Sequence, residues 1–336
     1  MENKTFLVTG AAGFIGFHLV KQLTSLYPEA DIYGIDNLNA YYDPGLKTAR
    51  LRVLSSTCPK FTFREMDLAN RDDMVRLFAA VRPDVVLHMG AQAGVRYSID
   101  NPYAYIDSNI VGFMNILEGC RHHPVQHLLY ASSSSVYGAN KKVPFSVDDP
   151  VDHPISLYAA TKKSNELMAH TYAHLYGVPV TGLRFFTVYG PWGRPDMAYF
   201  KFTEAIYNKK PIDIYNFGDM KRDFTYIDDI VDGIMRLIPF APKGKGTGQA
   251  IGTTAPYAVY NIGHNHPEDL MEMINILEDL TGQEAQKNML PMQPGDVYTT
   301  YADIDPLTAA TGFTPRTSLR QGLTHFISWY KDYYGR

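Results

Sequence analysis

Short apolar runs alternate along the first half of the chain with longer stretches whose apolar residues recur at helical spacing. Thr5–Thr9 (Thr-Phe-Leu-Val-Thr) reads as a buried strand, and Phe14, Ile15, Phe17, Leu19, Val20, Leu23 and Leu26 then follow a helical period. The same signals predict strands at Asp31–Asp36, 61–66, 84–88, 127–132 and 179–186, and helices at 14–26, 44–55, 71–81, 102–121 and 156–176. Alternation of this kind gives an α/β fold, a doubly wound parallel sheet with helices on both faces. After about residue 187 prolines and glycines break the pattern, and helices are expected near 197–208, 227–238, 267–281 and 318–332. The stretch 239–256, rich in Gly, Lys and Thr, reads as a surface loop. Residues 1–186 therefore form one expected domain. Residues 187–336 form mainly a smaller α/β substrate-binding lobe, with some segments free to return to the sheet.

Between the first strand and helix stands Gly10-Ala-Ala-Gly13-Phe14-Ile15-Gly16. Glycines in a strand–turn–helix unit permit a tight turn and bring backbone N–H groups and a helix N-terminus up to a pyrophosphate. Asp36 closes the next strand, twenty residues after Gly16, where an acid accepts hydrogen bonds from an adenosine ribose. An acid there repels a 2′-phosphate, so the pattern favours NAD over NADP in a Rossmann-type sheet. Ligands on such sheets bind beyond the carboxyl ends of the strands, where Gly10, Asp36, Asp67, Gly90 and Ser133 are all expected.

Tyr158 and Lys162, in Tyr-Ala-Ala-Thr-Lys, are four residues apart on a predicted helix and so share a face. A tyrosine has an ordinary pKa of about 10. A nearby ammonium is expected to lower it and suit the pair to moving a proton of a sugar or alcohol hydroxyl. The spacing alone is common; the nucleotide-binding start upstream gives it weight.

Charge and composition narrow the partners. The 336 residues carry 31 Lys and Arg against 35 Asp and Glu, a net charge of −4, with no basic run, so neither nucleic acid nor an anionic membrane is an expected partner. Two cysteines, Cys58 and Cys120, suggest no disulfide framework and fit a reducing cytoplasm. The first strand begins close to Met1, so a signal peptide is not expected, and no apolar run is long enough to span a bilayer.

Together these motifs resemble the extended short-chain dehydrogenase/reductase superfamily, within it the nucleotide-sugar epimerases. The resemblance rests on Gly10 to Gly16, Asp36-Asn37, Asp67-Leu68, Ser132-Ser-Ser-Ser-Val-Tyr-Gly138, Tyr158 to Lys162, Leu183-Arg-Phe-Phe-Thr-Val-Tyr-Gly190, Arg222-Asp-Phe-Thr-Tyr-Ile-Asp-Asp229 and Tyr260-Asn-Ile-Gly263. Ile35-Asp-Asn-Leu-Asn-Ala-Tyr-Tyr-Asp43, Gln92-Ala-Gly-Val-Arg-Tyr-Ser98, Gly190-Pro-Trp-Gly-Arg-Pro-Asp-Met197 and Met292-Gln-Pro-Gly-Asp-Val297 are closer still to UDP-glucuronate 4-epimerases. The resemblance implies Tyr158 as base, Lys162 as the residue lowering its pKa and binding the nicotinamide ribose, and Ser133 as the partner hydroxyl. Asp67 and Leu68 would lie by the adenine, Gly90 by the pyrophosphate, and Arg222 on the UDP diphosphate, which a guanidinium suits. Thr187 stands where epimerases of uncharged hexoses commonly carry asparagine. A homodimer through helices 102–121 and 156–176 is also implied.

The same resemblance bears on the reaction. Relatives that expel water or carbon dioxide place an acid just before Val-Tyr-Gly, whereas Ser134 and Ser135 stand there here. What remains is oxidation and re-reduction at one carbon. Tyr158 would take the proton of the 4-hydroxyl as hydride passes to tightly bound NAD, and the 4-keto sugar would turn over and be reduced on its other face. UDP-glucuronic acid would become UDP-galacturonic acid. A carboxylate beta to that ketone is prone to leave as carbon dioxide, so it must be held. Ser133, Ser134, Ser135 and Thr187 are candidate donors, and Arg96 and Arg194 are candidate cations near the sugar or nucleotide, equally readable as surface or interdomain arginines.

Other readings stay open. The substrate can instead be a neutral UDP-hexose such as UDP-glucose or UDP-galactose, the enzyme a net dehydrogenase, or the protein a non-catalytic NAD binder. His170 and His174 have a zinc-compatible spacing but no third ligand, so no metal is expected. Asp228 and Asp229 read as capping or charging a helix start, and Trp192 as uracil stacking or core packing.

Overall fold

Phe6, Leu7 and Val8 are wholly buried, as befits a parallel strand covered on both faces. A computed structural model of the chain describes residues 4–244, 253–292 and 297–336. Its first half runs β1 (Thr5–Thr9), α1 (Phe14–Leu26), β2 (Asp31–Asp36), α2 (Pro44–Thr57), β3 (Phe61–Glu65), α3 (Arg71–Val81), β4 (Val85–His88), α4 (Tyr97–Asp100), α5 (Pro102–Tyr105), α6 (Gly112–His122), β5 (His127–Ser133), α7 (Leu157–Tyr176) and β6 (Val180–Phe185). The second half adds β7 (Thr187–Tyr189), α8 (Ala198–Tyr207), β8 (Ile212–Ile214), β9 (Lys221–Tyr226), α9 (Ile227–Leu237), β10 (Tyr257–Ile262), β11 (Pro267–Asp269), α10 (Leu270–Thr281), β12 (Lys287–Met289), α11 (Asp305–Thr311) and α12 (Leu319–Tyr334).

Seven strands form the central sheet in the order β10-β6-β5-β4-β1-β2-β3, every neighbouring pair parallel. Strand side chains alternate between its faces. Phe6 and Val8 join α1 in one core that continues through α9 to α12, while Leu7 joins α3, α6 and α7 in a second. The order reverses between β1 and β4, which opens a crevice above their carboxyl ends.

The doubly wound sheet is as expected, and four features of the chain are added to it. β10, six buried residues from the second half, pairs with β6 as the seventh strand. The stretch expected as one helix over 267–281 begins with β11, antiparallel to β9, and turns helical only after Asp269. The helix expected over 102–121 is interrupted by a π-turn at Ile106–Val111. Small sheets β11-β9-β7 and β12-β8 build the lobe. The expected loop 239–256 and the stretch 292–297 lie partly outside the described residues. Among the described residues no helix is long and apolar enough to cross a membrane.

Candidate active site

A cleft of about 680 Å³ lies over the carboxyl ends of β1, β2, β4 and β5 and beneath β7. The residues expected from the sequence to bind cofactor or substrate line it: Gly10, Gly13, Phe14, Ile15, Gly16, Asp36, Asn37, Asp67, Leu68, Gly90, Arg96, Ser133, Ser134, Ser135, Tyr158, Lys162, Thr187, Arg194 and Arg222.

One end is shaped for a dinucleotide. Gly10 has φ +67°, and a Cβ there would come within 2.8 Å of the Gly90 Cα; a Cβ on Gly16 would come within 2.1 Å of the Gly10 carbonyl oxygen. Gly13 caps α1 with no side-chain hydrogen bond, so the first N–H groups of α1 face the cleft. At the tip of β2 the Asp36 carboxylate accepts the Leu38 N–H at 2.9 Å, and Asn37 donates to Asp67 at 2.9 Å. This glycine cradle and carboxylate fit NAD. Sequence reasoning missed Lys47, whose ammonium is 3.8 Å from Asp36, donates to Asn39 at 3.0 Å and is lowered in pKa by burial.

The other end gathers Tyr158, Lys162 and the serines Ser133 to Ser135. Ser156 caps α7 by accepting the Ala159 N–H at 3.1 Å, which fixes the turn carrying Tyr158. Asn109 of the π-turn accepts the Gln92 N–H at 2.8 Å and donates to Thr161 at 3.1 Å, while Asn165 donates to the Asn109 carbonyl at 2.6 Å. The π-turn thereby bolts α7 to the loop after β4; such turns recur at functional sites. Ser133, the last residue of β5, donates to Ser135 Oγ and accepts the Ser135 N–H, both at 3.1 Å.

Burial pushes the Tyr158 phenol above its ordinary range, while contact with the Ser133 hydroxyl and the Arg194 guanidinium pull it back. The expected lowering by Lys162 is not part of that balance. The Lys162 ammonium instead donates to the Ala131 carbonyl of β5 at 2.7 Å, and burial lowers its pKa to about 8. The folded protein therefore holds this proton less firmly than the unfolded chain. The resulting destabilisation is full below about pH 8 and fades as pH rises through 10.5. Lys162→Met should accordingly melt higher than the parent at pH 6–7 and lose that advantage at alkaline pH, in parallel thermal scans. A variant melting lower across the whole range would contradict this.

Arg194 forms a two-pronged pair with Asp196, at 3.0 and 2.5 Å, and Tyr41 donates to the same carboxylate at 3.1 Å. Burial opposes the Arg194 charge, but Asp196 outweighs it and holds the guanidinium above its ordinary range. Burial likewise opposes the Asp196 carboxylate, and Arg194 overcomes it, holding the acid below its usual range. Arg194 lines the cleft with its side chain largely buried. Arg96 lies over the Tyr215 ring at 5.2 Å, and Arg222 donates to the Lys221 and Tyr298 carbonyls at 2.9 and 3.2 Å.

The residues weighed as structural fall away from the cleft. Trp192 packs against Phe17, Trp329 and Tyr333. Asp228 and Asp229 stand in the first turn of α9, charging the helix start as expected rather than capping it, and Asp229 accepts the Arg316 and Thr317 N–H groups. His170 meets Thr253 at 2.8 Å, and among the described residues no group of three or more His, Cys, Asp or Glu could hold a metal.

The chain matches the model of the NAD dependent epimerase/dehydratase family over residues 6–263. It is 59% identical over 334 residues to an uncharacterised 37.6 kDa protein of Escherichia coli O111:H-, covering 98% of this chain and 99% of that one. It is 48% identical over 337 residues to a probable UDP-glucuronate 4-epimerase of Rhizobium meliloti (strain 1021), covering 98% of each. Its fold is similar, with a TM-score of 0.87 and 34% identity over 98% of this chain and 100% of the other, to a UDP-glucuronic acid 4-epimerase from Bacillus cereus crystallised with UDP-glucuronic acid and NAD.

Proposed function

The chain belongs to the NAD dependent epimerase/dehydratase family, and we propose that it inverts carbon 4 of UDP-glucuronic acid, giving UDP-galacturonic acid through a 4-keto sugar. One observation carries this reading beyond the family. Among the described residues at the reactive end of the cleft, Tyr158 is the one proton-transfer group not already committed. Of the carboxylates lining the cleft, Asp36 and Asp67 stand at the dinucleotide end, and Asp196 is locked to Arg194. Ser134 and Ser135 occupy the place of a second acid. A single proton-transfer group supports oxidation and re-reduction of one carbon and supports neither dehydration nor assisted decarboxylation.

Bound NAD would supply hydride acceptance and return at carbon 4. The backbone at Gly10, Gly13, Phe14, Ile15 and Gly16, with Gly90, would hold its pyrophosphate; Asp36 and Asn37 its adenosine ribose; Asp67 and Leu68 its adenine; and Lys162 its nicotinamide ribose. Tyr158 would take the proton of the 4-hydroxyl and return it, its phenoxide steadied by the Ser133 hydroxyl. Ser133, Ser134, Ser135 and Thr187 would bind the sugar and its carboxylate, with the Arg194 guanidinium supplying the opposite charge. Arg222 would bind the UDP diphosphate and Arg96 its neighbourhood. Residues 1–186 together with β10 would thus form the NAD half, and most of 187–336 the UDP-sugar lobe.

Pure protein incubated with UDP-glucuronic acid should form UDP-galacturonic acid with no net rise in NADH absorbance. Turnover of UDP-galactose but not of the uronic acid would assign the neutral-hexose activity instead; stoichiometric NADH would assign a dehydrogenase.

The chain would act in the cytoplasm, in keeping with two free, buried cysteines, and as a homodimer. Ile99, Tyr103, Leu167 and Leu175 are 58–79% exposed on α4, α5 and α7, an apolar face consistent with a symmetric helical contact. Sedimentation should give about twice the 37.8 kDa chain mass; a 37.8 kDa species at micromolar concentration would count against it.

A further inference from the structure

Arg50, on α2, has no exposed surface and lies outside the cleft lining, yet its guanidinium makes five hydrogen bonds. Nε and Nη2 donate to the Trp192 carbonyl at 3.2 and 2.6 Å, and Nη2 to the Gly193 carbonyl at 3.2 Å. Nη1 donates to the Ala12 carbonyl in the glycine turn and to the Tyr42 hydroxyl, both at 2.8 Å. No carboxylate pairs with it among the described residues. Burying a guanidinium without a counter-ion is costly unless its donors are filled. Here they are filled almost wholly by backbone carbonyls, most of them from the loop that ends in Arg194.

That loop is held on other sides as well. His18 of α1, kept neutral by burial at a pKa of about 3, donates from Nε2 to the Pro191 carbonyl at 3.0 Å. Trp192 adopts φ +61°, a left-handed conformation rare for a bulky residue, and is wedged among Phe17, Trp329 and Tyr333. Three consecutive carbonyls, of Pro191, Trp192 and Gly193, are thus taken immediately before Arg194, which Asp196 and Tyr41 then orient.

We propose that Arg50 is a positioning residue for the reaction: it ties the glycine turn of the NAD half to the 190–194 loop and so fixes the Arg194 guanidinium against the sugar. The consequence follows from the proposed function, on which this inference rests. The 4-keto uronic acid loses its carboxylate when that group turns perpendicular to the carbonyl plane, because the breaking C–C bond then feeds electrons into the ketone. The products are carbon dioxide and a UDP-4-keto-pentose, which takes up one proton. The two electrons already removed from carbon 4 remain as NADH, so each such event leaves one NADH unreoxidised. A loose loop should raise the share of turnovers ending this way.

The test compares wild type, Arg50→Met, Arg50→Lys and Trp192→Gly, each checked for melting temperature and retained NAD. Wild type turning over UDP-glucuronic acid with little carbon dioxide establishes the parent reading; no turnover by wild type refutes that reading and not the role of Arg50, which the same variants then test with UDP-galactose as a rise in KM. With the reading established, Arg50→Met should raise carbon dioxide and residual NADH per epimerisation about tenfold or more, with Arg50→Lys between it and wild type. Trp192→Gly accepts the left-handed backbone but removes the wedge, so it should shift the same ratio even if Arg50→Met fails to fold. Folded, NAD-loaded variants that epimerise more slowly with an unchanged carbon dioxide ratio would make Arg50 a packing residue and overturn the proposal.

Discussion

Tyr158→Phe should lower kcat by about 10²–10⁴-fold, the span that a positioned general acid or base contributes, while folding and NAD content stay as in the parent. The ring is already held without its hydroxyl: it meets the Tyr105 ring edge-on at 6.0 Å, and its helix is capped by Ser156 and bolted through Asn109. Only the phenolic oxygen is removed. Among the described residues no nearby carboxylate can stand in for it, because Asp196 is committed to Arg194 and the residues before Val136 are serines. Substrate binding should change far less than turnover, so the loss falls on kcat rather than KM. Full activity in a folded, NAD-loaded variant would remove Tyr158 from the mechanism.

Glu166→Gln should destabilise the protein by about 3–5 kcal/mol, the usual cost of leaving one member of a buried ion pair without its partner. Arg184 Nε and Nη2 donate to the two Glu166 oxygens at 2.9 Å each, and Ser132 donates to one of them at 2.7 Å. Arg184 also donates to the Tyr137 hydroxyl at 3.0 Å, and Tyr137 donates to Asn261 at 2.6 Å. The chain of contacts joins α7, β6, β5 and β10 inside the fold. Glutamine keeps the shape and an acceptor for Ser132 but leaves a buried guanidinium unopposed. Urea unfolding measures the loss. The double variant Glu166→Leu with Arg184→Met should recover most of it, since paired removal of buried charges is often neutral. A single-variant loss below about 1 kcal/mol would show the pair to be more hydrated than its burial implies. The neighbouring residue of Ser132 is Ser133, so activity should fall as well.

The parts of the site legible in the sequence were those carried by local pattern. Gly10, Gly13 and Gly16, Asp36, and the pair Tyr158 and Lys162 each lie within one turn or one strand end, where spacing dictates position. The partners of those groups were not legible. Tyr41 reaches Asp196 across 155 residues, and Arg50 reaches Trp192 across 142. Lys162 donates to Ala131, 31 residues away, so its influence on Tyr158 could not be judged from their shared helical face. The lobe resisted for a related reason: β7, β8, β11 and β12 are three residues each, too short to show an alternating period.

The seventh strand also bears on how the protein is made. Strand β6 ends at Phe185, but its outer partner begins only at Tyr257, after much of the lobe has been synthesised. While the chain emerges from the ribosome, the edge of β6 stays bare until that distant segment arrives. A bare edge strand is a template for pairing with other chains, and a contact of such long sequence separation forms late. The nascent sheet is therefore most exposed to aggregation while residues 187–256 are being synthesised, and the arrival of β10 is what covers the edge of β6.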